Sequence, residues 1–321
     1  MGLYTTDFLD DRNIKELFFQ QLGEVIEPAW WNKLATPVDS DRELEEYKWL
    51  GQVPTMREWI GGRQEVNLNK FSLEIRNKRF ESTLPLTKND RRRDKTNQLA
   101  VRTGDLAQRA ATFPNSLVST LAQDGEAGNS GLAYDGQFFY DTDHDESGTD
   151  QTNDLTNTEV PSADVSDAGA PTATEAANII VETIGHMKSF TDDQGEPMNQ
   201  DAMSFIIMVS KSTYWAAFQN ALAQNNLASA VTNPVLGLQA VGMNFSVILN
   251  TRLTAANEIN VFRTDSRLLP FILQEEEAVQ AQMIGAGSEE EFKNDRWLFG
   301  VTWRGNAGYG DWRKAALVKL S

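Results

Sequence analysis

The sequence contains no cysteine and only two histidines, His144 and His186, in 321 residues. Without cysteine there is no disulfide framework, no cysteine-ligated metal and no thiol nucleophile. The two histidines fit neither HExxH nor any paired-histidine metal spacing, and no Ser-His-Asp order can be defended from them. A packed or helix-terminal histidine is the ordinary reading of each. No apolar run approaches the ~20 residues of a transmembrane helix. The first residues, MGLYTTDFLDD, are acidic and lack the basic and apolar regions of a secretion signal. No convergent catalytic site is legible, and no cofactor is implied.

What is present is charge, unevenly spread. The net charge is −17, from 29 Lys+Arg and 46 Asp+Glu. Residues 57–115 carry thirteen basic and seven acidic groups, a net of +6. Residues 116–201 carry one basic group, Lys188, and eighteen acidic ones, again −17. A basic stretch beside an acidic one can be complementary between copies of one chain, or each can simply solvate a surface. So acidic a chain is a poor general binder of nucleic acid, because phosphate affinity comes from Lys and Arg.

The stretch from Arg57 to Gly125 organises the rest. Phe71, Leu73 and Ile75 alternate on one leg, and Phe80, Leu84 and Leu86 on another. Between them lies Arg76-Asn77-Lys78-Arg79, too polar for a core. This pattern predicts a hairpin with its tip at 76–79. Pro85 suits an edge strand. Legs of about eleven residues at ~3.3 Å each give an arm of ~35 Å. A compact body of this length has a radius of gyration of roughly 20 Å, so such an arm would need a neighbouring surface. From Leu99 to Leu121 the apolar spacing turns helical, with Asp124-Gly125 as the stop and a kink or division expected at Pro114.

Elsewhere, Ile14, Leu17, Phe18 and Leu22 predict a helix before Pro28, and Trp30-Trp31 predicts packing under a neighbouring element. Ser40 and Glu43 have capping-box spacing, which predicts a second short helix ending at Gly51. Tyr134-Asp135-Gly136 predicts a turn into an aromatic strand, followed by a long polar loop. Thr172 and Glu175 form a capping box for a helix through Met187. Met203–Val209, Phe245–Leu249 and Ile259–Phe262 read as strands. A helix capped by Ser212 or Thr213 carries Trp215, Phe218 and Leu222. Trp297, Phe299, Val301 and Trp303 alternate on a strand, Gly305–Gly310 is a turn, and Ala315–Val318 a closing strand. The overall class is α+β.

One metal reading is available. Asp143, Asp145, Ser147 and Asp154, with Gly148 at position six, roughly match a calcium loop of the DxDxSG type. The flanks are not two helices, and Asp150 stands where an EF-hand wants an apolar residue. The plain alternative is a solvated acidic loop. GNAGYG lacks the Lys-Ser/Thr ending of a phosphate loop and is rejected as one.

Four stretches together resemble the tailed-bacteriophage major capsid proteins, specifically the Mu-like major head subunit family. They are Met56-Arg57-Glu58-Trp59, Ile75 to Glu81, Tyr134 to Phe139 followed by Asp143-His144, and Gly308-Tyr309-Gly310-Asp311-Trp312. The resemblance implies the Hong Kong 97-type phage capsid fold. It divides the chain into an N-terminal helical arm (1–56), an extended hairpin loop (57–90), a peripheral domain with spine helix and acidic loop (91–170), an axial domain (171–267) and C-terminal strands of the peripheral domain (268–321). It implies pentamers and hexamers that build an icosahedral head around double-stranded DNA, held without sequence-specific binding and without a membrane. A separate scaffold protein, a portal and a decoration protein are the implied partners, with assembly in the host cytoplasm. Arg76, Asn77, Lys78 and Arg79 become candidates for contact with an adjacent subunit. Lys70 and Lys78 are candidates for cross-linking to a neighbour. Deleting Arg76–Arg79 is expected to leave a folded monomer that does not close shells. The other classes compatible with the sequence are an encapsulin-like nanocompartment shell and a calcium-dependent binding module.

Overall fold

A computed structural model describes residues 11–26, 29–50, 70–87, 98–145, 149–192, 195–227 and 232–321. The element Met56–Trp59 and residues Ser147 and Gly148 lie outside these. The first unit is built on two helices and a sheet. Helix α1 (Asp11–Ile26) buries Ile14, Phe18 and Leu22 against Leu99, Leu106, Ala107 and Ala111 of helix α2 (Gln98–Gln123). At 26 residues α2 is about 39 Å long. Both helices cover a four-stranded sheet in the order β1-β11-β12-β4. Its strands are β1 (Ala35–Asp39), β4 (Lys78–Thr87), β11 (Phe271–Ile284) and β12 (Arg296–Tyr309). The alternation read at Trp297, Phe299 and Val301 places these side chains on the helix-covered face. Helix α1 is therefore docked in a core that it shares with α2 and the sheet.

The second unit is a five-stranded sheet in the order β7-β13-β10-β8-β9, with β7 the short edge strand Asp154–Leu155. Strands β8 (Ser204–Val209) and β9 (Asn244–Leu249) run parallel, while β10 (Glu258–Arg263) is antiparallel to β8 and to β13 (Ala315–Lys319). Helices α3 (Ala173–Ser189), α4 (Ser212–Ala223) and α5 (Pro234–Ala240) complete it. The apolar run Phe205–Val209 is wholly buried, as a central strand covered on both faces requires. Strand β13 joins this sheet and not the one containing β11 and β12, so residues 268–321 are shared between the two units.

The expected hairpin is not formed. Strand β3 (Lys70–Arg76) pairs with β2 (Leu44–Leu50), from Leu44↔Arg76 to Leu50↔Lys70, while β4 pairs with β12. The chain changes sheet at Asn77. Residues 44–50 are strand, not helix, because β3 supplies a ladder, and Ser40 Oγ donates to Glu45 Oε1 and the Arg42 carbonyl instead of capping. Gly305 to Tyr309 continue β12, not a turn. Their glycines permit close approach: a Cβ on Gly305 would stand 2.3 Å from the Gln274 carbonyl oxygen, and one on Gly308 would stand 2.5 Å from Ile75 Cδ1.

Other details differ. Helix α2 runs unbroken through the buried Pro114. Beside it Trp31 docks, donating its indole N–H to the Ala111 carbonyl (3.3 Å) and its backbone N–H to Asn115 Oδ1 (3.1 Å). The Tyr134-Asp135-Gly136 turn is present, with Gly136 at φ 87°, but no strand follows. Phe139 instead stacks on Tyr309 at 4.6 Å, and Tyr140 donates to Asn260 Oδ1 at 2.8 Å. Helix α4 is capped at Lys211 without a side-chain bond, so neither Ser212 nor Thr213 is its cap.

Candidate assembly surface

The β2–β3 ribbon belongs to neither large sheet, and its root is fixed by a buried polar knot. Asn77 is 8% exposed. Its side-chain amide donates to Ser40 Oγ (3.0 Å) and to the Arg42 carbonyl (2.7 Å). Its Oδ1 accepts from Gln274 Nε2 at 2.8 Å, and its backbone N–H donates to the Glu43 carbonyl. Gln274, fully buried on β11, also accepts from the Tyr47 hydroxyl at 2.7 Å. Burial, with Glu45 nearby, pushes the Tyr47 pKa up to about 12, so that hydroxyl remains a donor across the physiological range. Leu73 and Ile75 pack with Ile272, Val38 and Leu268, and Ile75 seats on Gly308.

Three of the four candidate contact residues surround this knot. Arg76, Lys78 and Arg79 are exposed and make no ion pair among the described residues. Asn77 is directed inward. Deleting 76–79 would remove the knot and shift the register of β3 and β4 together, so that deletion is a test of folding. Residues 51–69, which follow the far end of the ribbon, lie outside the described residues, as does the side chain of Lys70. A cavity of about 490 Å³ lies between the ribbon root, the 130–136 loop and β12.

The acidic stretch is tied down more than its composition suggests. Short strands β5 (His144–Asp145) and β6 (Asp150–Gln151) pair, and β7 (Asp154–Leu155) joins β13. Asn153 is fully buried, its amide donating to the carbonyls of Phe139 (2.8 Å) and Trp312 (3.2 Å). Of the calcium candidates, Asp154 is engaged by Lys319 Nζ at 2.7 Å. Burial raises the Asp154 pKa while Lys319 lowers it, with burial the stronger effect. Asp143 is held up by a shared hydrogen bond with Asp141. Ser147 lies outside the described residues, among which no group of three or more His, Cys, Asp or Glu side chains could hold a metal. Asp143, Asp145 and Asp154 accordingly form no such group among the described residues.

Both histidines are packed. His144 is buried, with Nδ1 2.6 Å from Asp135 Oδ2 and its ring stacked on Trp312 at 3.9 Å. His186 Nε2 lies 2.8 Å from the Thr152 carbonyl.

A second polar cluster escaped the sequence reading. Arg313 Nε donates to Asp311 Oδ1 at 2.8 Å, both buried. Asn199 Oδ1 accepts from Lys314 Nζ (2.7 Å) and Arg263 Nη1 (3.0 Å). Burial works against ionised Asp311, but the Arg313 and Lys314 charges outweigh it and hold its pKa low. Burial lowers the Lys314 pKa, partly offset by Asp311. This cluster fixes the turn that carries the chain from β12 into β13. Three charges within the four residues after Gly310 give no sequence signal that separates them from a solvated turn.

The fold as a whole is similar to that of solved phage capsid proteins. The procapsid protein of bacteriophage JBD30 superposes with a TM-score of 0.53 at 22% identity, covering 97% of this chain and 75% of that one. This likeness shows the fold, the Hong Kong 97-type capsid fold. In sequence, the chain is 24% identical over 293 residues to the Mu-like prophage FluMu major head subunit of Haemophilus influenzae, covering 91% of this chain and 67% of that protein. It is 33% identical over 117 residues to the major capsid protein of Escherichia phage Mu. That match covers 36% of this chain and 37% of the Mu protein, so the chain spans little more than a third of that relative. The profile of the Mu-like prophage major head subunit gpT family matches residues 12–173 and 244–320. The two stretches take in the ribbon, the long helix and both C-terminal strands, and the chain belongs to that family.

Proposed function

We propose that this chain is a structural virion protein that assembles with its own copies, as pentamers and hexamers, into an icosahedral head shell enclosing packaged double-stranded DNA. The observation that carries the proposal is the ribbon: two strands, rooted by a buried knot, joined to neither sheet. A two-stranded ribbon alone is marginal in water. Leu73 and Ile75 seat part of it on its own chain, and a surface on an adjacent copy supports the rest. Arg76, Lys78 and Arg79 stand at the root as the side chains that meet that copy. Ring-closing, heterologous contacts are the geometry such a shell requires.

The net charge of −17 agrees with a container that does not hold its DNA by phosphate contacts. Its role is architectural rather than catalytic, its place is the virion head, and it assembles in the host cytoplasm. A separate scaffold protein, a portal and a decoration protein are the partners this reading assigns.

Replacing residues 51–69 by Asn-Gly tests the proposal. The Leu50↔Lys70 register lets a two-residue turn close the ribbon. The expected product is a folded protein with unchanged melting that forms no closed shells. Normal shells from it would show that the far end of the ribbon is not an assembly element.

A further inference from the structure

Between β11 and β12 the chain forms a single helical turn, α6 (Glu289–Asn294). Ser288 Oγ accepts from the Glu291 N–H at its start, and Asp295, at φ 50°, ends it in the left-handed region. The turn is thus held, and it presents Phe292 at 92% exposure, beside the exposed pair Glu289–Lys293. An aromatic ring fixed in water is costly unless something covers it.

A groove of matching character lies elsewhere on the chain, between α2 and the four-stranded sheet. It measures about 210 Å³ and is lined by Phe80, Leu106, Phe113, Val301 and Trp303. Arg109 and Glu81 also line it, and both are exposed. Arg109 makes no ion pair among the described residues. Trp303 lies seven residues along β12 from Arg296, which is roughly 23 Å, so a chain cannot bring its own Phe292 to its own groove.

We infer that Phe292 of one copy inserts into the Phe80–Phe113–Trp303 groove of a second copy, with Glu289 meeting Arg109 and Lys293 meeting Glu81. The contact is heterologous: knob and groove are different patches, so each copy offers one of each and the contact propagates from copy to copy. The occupant is assigned by charge as well as shape. The acidic and basic groups flanking the ring face a basic and an acidic group flanking the groove. This inference rests on the assembly reading above, and it specifies one surface that reading leaves open.

The absence of native cysteine makes the test clean. Asn294→Cys at the knob and Ser82→Cys at the groove are placed in one chain, and particles collected by sedimentation are treated with a short bismaleimide. A ladder of linked chains is expected from the double variant and not from either single one. Adding Phe292→Ala should reduce the ladder roughly tenfold or more, the range expected for losing one buried aromatic. Phe292→Ala should leave melting unchanged, because the ring is exposed in the single chain. Arg109→Glu should weaken the ladder, and Glu289→Arg in the same chain should restore it. Particles that form without a ladder overturn the contact and leave the assembly reading standing. Failure of the unaltered chain to form particles even when co-expressed with a scaffold protein would overturn the assembly reading, and the contact would fall with it.

Discussion

At the scale of single residues, the structure depends on polar groups placed where an apolar core would be expected. Asp311 and Arg313 are both buried and bonded to each other. Arg313→Met removes the bonded partner and leaves the buried carboxylate with only the Lys314 charge to offset its burial, which should cost about 3 kcal/mol in chemical denaturation. A carboxyl whose folded pKa lies below its unfolded value adds stability above the unfolded value and loses it as pH falls through the folded one. Asp311 is such a group, so wild-type stability should fall on acidification below the usual carboxylate range, and Asp311→Asn should flatten that dependence. Glycines separate in the same way. Gly305→Ala would meet the Gln274 backbone and should cost about 1–3 kcal/mol, while Gly300→Ala, with no neighbour nearer than 3.6 Å, should cost less. Equal melting temperatures for the two would contradict the close approach at Gly305. None of these roles was visible in the sequence, because nothing local to Asp311 or Gly305 reveals which distant element arrives there.

At the scale of elements, legibility followed the range of the interactions. The capping box at Thr172 and Glu175 is local, and it is present as read: Thr172 Oγ1 accepts from the Glu175 N–H, and the Glu175 carboxylate accepts from the Thr172 N–H at 2.7 Å. Burial opposes ionisation of Glu175, but hydrogen bonds from Thr172 and Ser166 bring its pKa down to about 2. Thr172→Ala should cost about 1 kcal/mol. The contribution of Glu175 should fade between about pH 4.5 and pH 2, and solvent exposure makes it modest. A pH titration of the Thr172→Ala and wild-type melting curves checks both. The 98–123 helix was also legible, since its apolar spacing is its own. Strand pairing was not. Leu73 and Ile75 do alternate, and so do Leu84 and Leu86, but alternation says that a strand exists and not which strand it joins. The buried Asn77, which sends β3 one way and β4 the other, sits in a stretch whose three charged neighbours made it read as a solvent-exposed tip.

At the scale of the whole molecule, two sheets share one large core, to which Phe271, Ala307 and Tyr309 come from one and Phe205, Ile259 and Leu317 from the other, and the β2–β3 ribbon lies outside both sheets. The C-terminal stretch supplies both sheets, through β12 and β13, which makes the two units cooperate in folding. The family resemblance was legible because it rests on scattered short stretches in order, and it did not require the pairing to be right. The strand at 70–76 was legible as a strand, but its partner is 44–50 and not 78–87. Residues 77–79 therefore stand at the root of the ribbon instead of the tip.

The central claim is that this chain builds a closed shell from its own copies. Electron microscopy of the purified protein, with light scattering on the same sample, tests it most directly. The account predicts closed shells, or rings of five or six, with the scattering mass of many chains. Monomers or dimers alone, persisting when the chain is co-expressed with a scaffold protein, would contradict it.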